Sequence, residues 1–79
     1  MRNIVFLEVL WGLGKDLEVR EYSQTILEVN IGNCKVVVNH GQRKVTILAY
    51  GNMQEAIEVM KKIDAVTQGH YILEIVPRW

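Results

Sequence analysis

The sequence predicts an α+β domain. A mainly antiparallel β-meander sheet carries one helix, from the C-terminal half of the chain, on one face, in the order β-β-β-β-α-β. Three observations predict it. Apolar and other residues alternate with a period of two through most of the first fifty positions, the signature of half-buried strands. Gly32-Asn33 is a two-residue hairpin loop between two such runs. From Asn52 onward the spacing changes to threes and fours, and one more apolar run follows.

Taken in order, Val5, Leu7, Val9 and Trp11 fall on one side of the first run, with Ile4, Phe6, Glu8 and Leu10 on the other. "GLGK", Gly12 to Lys15, reads as a turn. From Leu17 to Ile31 the odd positions are Leu, Val, Glu, Ser, Thr, Leu, Val and Ile, which suits one long or broken strand. The Gly32-Asn33 loop then sets Ile31 opposite Cys34, Val29 opposite Val36 and Leu27 opposite Val38, all on one face. "NHGQ", Asn39 to Gln42, turns the chain again, and "RKVTILAY" adds Val45, Ile47 and Ala49 to that face.

Asn52 is placed to cap a helix, and Glu55 three residues later completes a capping-box pattern. Met53, Ala56, Ile57, Met60 and Ile63 supply the apolar stripe, and Gly69 marks the stop. "HYILEIV" is a last strand, ended by Pro77. Residues 16–30 have a second reading. Val19, Tyr22, Ile26 and Val29 also share a helical face, with Asp16 as its cap, and a helix there gives the ferredoxin-like order β-α-β-β-α-β.

A chain of 79 residues, 49% hydrophobic and 23% charged, makes one small domain spanning residues 1–79. No apolar run approaches the roughly 20 residues of a membrane span. The opening "MRNIVFLEVLWGLGK" lacks a small-residue cleavage site and supplies strand residues, so it reads as a mature start. Cys34 is the only cysteine and no Asn-x-Ser/Thr site occurs, which favours a reducing, cytoplasmic setting. Nine basic and nine acidic residues cancel, which argues against a dedicated binder of DNA phosphates.

One segment is said three times: "VFLEVL" from Val5, "ILEVNI" from Ile26 and "YILEIV" from Tyr71. Strand alternation sends the Leu and Val of "FLEV" and "ILEV" to the helix-covered side. Glu8, Glu28 and Glu74 then face outward beside Ile4, Phe6, Leu10, Ile26, Val37, Leu48, Tyr50, Ile72 and Val76. A solvent-facing acid on a half-buried strand is ordinary; its apolar neighbours are not. One helix cannot cover both faces of a sheet, and large exposed apolar patches mark interaction sites. Arg20, Lys35 and Lys44 occupy outward positions and are available to pair with the acids.

Chemical motifs are weak. "GLGKDL" lacks the spacing of a nucleotide loop and has Leu17 where the dinucleotide fingerprint needs glycine. Cys34, His40 and His70 lack the paired spacing of a zinc site. Ser23 and Cys34 show no triad spacing with either histidine. No catalytic residue, metal or cofactor is expected. "VFLEVL" and "RKVTILAY" stand where an RNA recognition motif keeps its sheet signatures, but Val45 and Ile47 replace the stacking aromatics and Lys44 the glycine. The chain is not assigned to that family.

The expectation is therefore a non-enzymatic protein–protein interaction module, an adaptor or inhibitor. It acts as a homodimer or on a larger protein through Phe6, Glu8, Ile26, Glu28, Val37, Leu48, Tyr50, Ile72 and Glu74. The alternative is a single-stranded RNA- or DNA-binding domain that uses the sheet and a basic hairpin end of Lys35, His40, Arg43 and Lys44.

Overall fold

The computed structural model describes residues 18–79. The strand expected at 4–11, the turn at 12–15, and Phe6 and Glu8 with their neighbours lie outside the described residues. Within them the chain runs β1 (Glu18–Glu21), β2 (Ile26–Ile31), β3 (Cys34–Asn39), β4 (Lys44–Ala49), α1 (Met53–Thr67) and β5 (Ile72–Pro77). The strands form one five-stranded sheet in sequence order, antiparallel except for the parallel pair β4 and β5. This is the α+β order the alternation predicts.

Residues 18–31 hold strand and no helix, which sets aside the ferredoxin-like alternative. They are two strands and not one, since β1 folds back antiparallel on β2, with Val19 against Val29 and Arg20 against Glu28. The break falls where the odd positions lose their apolar residues, at Glu21, Ser23 and Thr25. There the Ser23 hydroxyl accepts from the backbone N–H of Thr25 at 3.2 Å and of Ile26 at 3.1 Å. A hydroxyl that captures backbone donors in this way offers the chain a turn in place of a ladder. Because the long segment makes two strands, the described residues alone supply the four strands before the helix.

Gly32 takes φ +58°, as the first central residue of a type II′ hairpin requires. The register matches the one read from the loop: Ile31 with Cys34, Val29 with Val36, Leu27 with Val38. Val36 continues to Ile47 and Val38 to Val45 on β4. All of these except half-buried Ile31 are buried, and they form the core with Ala49 and, from the helix, Ala56, Val59 and Ile63. Parallel pairing of β5 with β4 needs a crossover, which α1 provides. Pro77 ends an edge strand of the described sheet, where its missing N–H breaks no interior ladder.

The buried helical stripe is Ala56, Val59, Ile63 and Thr67, turned slightly from the expected one. Met53 is 38% exposed, and Met60 packs only at the margin of the core. Small Ala56 and β-branched Val59 face the sheet, whereas Met53 stands in the first turn. Buried Thr67 satisfies its hydroxyl by donating to the carbonyl of Ile63 at 3.0 Å. Gln68 and Gly69 both take left-handed backbone, and the Gly69 N–H bonds to the carbonyl of Asp64 at 3.2 Å, a Schellman-type close.

Candidate interaction face

Even-numbered residues of β1, β2, β4 and β5 and odd-numbered residues of β3 face away from α1. Pair registers order them into three rows across the strands. One row is Glu18, Asn30, Lys35, Leu48 and Val76; the middle row is Arg20, Glu28, Val37, Thr46 and Glu74; the third holds Ile26, Asn39, Lys44 and Ile72. The odd residues of β2 and β4 and the even residues of β3, from Leu27 to Ala49, turn inward and are buried, apart from half-buried Ile31. The face is thus built by alternation alone.

It is more polar than its sequence neighbours suggested. Ile26 and Ile72 stand at the two ends of the third row, and Ile72 is 67% exposed. Only Val37, Leu48 and Val76 form a continuous apolar diagonal, because Leu48 and Val76 are partners and Val37 stands one step along and across. Tyr50 follows the end of β4 and is 50% exposed. Asn30, Thr46 and Asn39 separate the rest. Sequence reading missed Thr46, Asn30 and Glu18; the signal available was the same alternation, extended to every strand.

The acids meet the cations expected of them. Glu28 Oε1 lies 3.8 Å from Lys35 Nζ, and Glu74 Oε1 lies 3.4 Å from Lys44 Nζ. Glu28 also accepts from the Tyr22 hydroxyl at 3.3 Å, and Glu18 accepts from the Asn30 amide at 2.9 Å. Arg20 stands directly opposite Glu28. A hydrogen bond with Tyr22, with help from the Glu28 charge, raises the Arg20 pKa further. The Thr46 hydroxyl donates to Glu74 at 2.8 Å. That bond, with Lys44 behind it, holds the Glu74 carboxyl below its ordinary range. Glu28 and Glu74 lie on β2 and β5, three strand spacings or about 14 Å apart, so their mutual repulsion is small. Between β1 and β3 an open depression of about 330 Å³ is lined by Glu18, Val19, Arg20, Glu28, Asn30 and Lys35.

The basic end does not assemble as expected. Lys35 is the second residue of β3, whereas His40, Arg43 and Lys44 lie at or beyond its far end, with Lys44 about 14 Å away at strand rise and spacing. Antiparallel pairing causes this, since Lys35 pairs with Leu48 and not with Lys44. His40 is a packing residue: its Nδ1 lies 2.7 Å from the Tyr71 hydroxyl, and the two rings meet edge to face at 5.8 Å. Burial lowers the His40 pKa and raises that of Tyr71.

Cys34 and His40 sit at opposite ends of β3. Among the described residues no group of three or more His, Cys, Asp or Glu is placed to hold a metal ion. The Cys34 thiol is buried, and burial, with Glu55 beside it, raises its pKa. No described helix is long and apolar enough to cross a membrane. Trp79 is 66% exposed and stands outside the core. No family model, curated protein or solved structure matches the chain.

Proposed function

We propose that this protein is a non-enzymatic, cytoplasmic interaction module that docks on another protein, a second copy or a larger partner, through the helix-free face. The observation that carries this is the apolar diagonal Val37, Leu48 and Val76, set between two ion pairs that each balance their own charge. A face with an apolar centre and a polar margin has the anatomy of a protein interface. Its acids and bases already neutralise one another, so a partner meets little net charge to desolvate. Covering the three half-buried apolar side chains contributes on the order of 2–4 kcal/mol before association costs. Further contacts around them, such as exposed Ile72, are therefore needed for stable docking.

The nucleic-acid reading has less support. Lys35 and Lys44 stand apart, and each faces a carboxylate, which cancels the charge a phosphate would meet. The test is mass in solution by light scattering behind a sizing column, for the native chain and for Val37→Ser with Leu48→Ser. Loss of association or of partner capture in the folded double variant supports the proposal. Unchanged association overturns it, and steeply salt-sensitive binding of single-stranded RNA favours the alternative.

A further inference from the structure

We infer that the occupant of the outer face is a second copy of this chain, laid sheet against sheet with its strands crossing the first set steeply. The inference rests on the docking reading above and names its partner and geometry.

The argument comes from the arrangement of four charges. Val37 and Thr46 are partners in the central β3–β4 ladder. Glu28 is the other neighbour of Val37, and Glu74 the other neighbour of Thr46. Lys35 lies two residues before Val37, and Lys44 two before Thr46. Between opposed residues of an antiparallel pair passes a local twofold axis normal to the sheet. About that axis Val37 exchanges with Thr46, Lys35 with Lys44, and Glu28 with Glu74. The Glu28–Lys35 and Glu74–Lys44 pairs, at 3.8 Å and 3.4 Å, are images of each other. The relation concerns side-chain positions and not chain direction, since β5 runs parallel to β4 while β2 runs antiparallel to β3.

The two acids are three strand spacings apart, about 14 Å. The two lysines are one spacing across and four residues along, again about 14 Å. Acids and bases therefore occupy the ends of two equal diagonals, which cross at roughly 70° on the flattened sheet. Such a figure complements itself. A face-to-face dimer turns one copy over about a twofold axis lying in the contact plane. When that axis bisects the angle between Glu74 and Lys35, Glu74 of one copy comes over Lys35 of the other, and Glu28 comes over Lys44.

That bisector runs from the Val37–Thr46 centre between Leu48 and Val76. Along it Leu48 meets the second copy's Val76, so this part of the apolar diagonal packs on its own image. The strands of the two sheets then cross at about 70°, in the orthogonal class of sheet packing. The aligned class, near 30°, instead brings acids close to acids. Charge complementarity thus selects both the partner and the angle.

The test uses two full-length variants. Lys35→Glu with Lys44→Glu gives a face whose four central charges are all acidic; Glu28→Lys with Glu74→Lys makes all four basic. Each is measured alone and in an equimolar mixture, by light scattering across concentration, with circular dichroism to establish folding. The expected result is a native dimer, two variants at least tenfold weaker in self-association, and a mixed heterodimer restored to native affinity or tighter. A monomeric native chain at high micromolar concentration overturns the inference. So do charge variants that dimerise like the native chain, or a mixture that fails to associate. If the native dimer is lost in Val37→Ser with Leu48→Ser but ignores charge reversal, the docking face stands and the crossed self-pairing falls. If neither change affects the native dimer, the docking face falls too.

Discussion

Glu55, in the first turn of α1, accepts a hydrogen bond from the backbone N–H of Asn33 at 3.2 Å, which ties the helix to the β2–β3 hairpin. Asn52 caps that helix as the sequence predicts, its side chain accepting from the Glu55 N–H at 2.8 Å. The carboxylate does not return to the cap, as a full capping box would have it. It goes instead to the loop, where a Cβ on Gly32 would stand 2.9 Å from Glu55 Oε2. Gly32→Ala therefore meets a left-handed backbone penalty and displaces the carboxylate. It is expected to cost about 1–3 kcal/mol. Glu55→Ala is expected to cost about 1 kcal/mol. Urea unfolding of both variants, read against the native midpoint, checks the order.

Burial also sets a pH dependence. The folded pKa of His40 is lowered, chiefly by burial, so the unfolded chain takes up this proton more readily. The stability that neutral His40 contributes is fully present above its unfolded value of about 6.5 and is lost as pH falls toward the folded value. Thermal melts between pH 7.5 and pH 5 are expected to show falling stability, with part of the slope removed in His40→Asn. An equal slope in that variant counts against the assignment.

Glu74 offers a second titration. Its carboxyl is held low, first by the Thr46 hydroxyl. A folded pKa below the unfolded one gives stability above the unfolded value that fades as pH falls through the folded one. In Thr46→Val the Glu74 carboxyl is expected to titrate at higher pH than in the native chain, as read by carbon NMR of the side chain. An unchanged titration contradicts the role given to the hydroxyl.

Cys34 is 2% exposed and its pKa is raised, so it carries little thiolate and offers little access. Its reaction with a disulfide reagent is expected to be slow in the native protein and to accelerate many-fold in denaturant. Fast reaction under native conditions contradicts the burial.

Much of the fold is legible in the sequence because two turns declare it. Gly32-Asn33 fixes a register that the apolar alternation independently demands, and Val45, Ile47 and Ala49 continue it. The break at residues 22–25 is harder to read, because it rests on a serine capturing backbone donors and not on glycine or proline. The outer face is legible only in part. Parity tells which residues point outward, and the Glu28–Lys35 and Glu74–Lys44 pairs follow from it. Which outward residues touch depends on strand order, and that order places Thr46 between Val37 and Glu74 and carries Lys35 away from Lys44. Alternation within one strand holds no information about either.

The most direct measurement is a dilution series of amide NMR spectra on the native chain. Crossed self-pairing predicts concentration-dependent shifts centred on Val37, Thr46, Leu48 and Val76, with the exposed side of α1 unmoved. Shifts confined to α1, or spectra that do not change up to the highest concentration, contradict it.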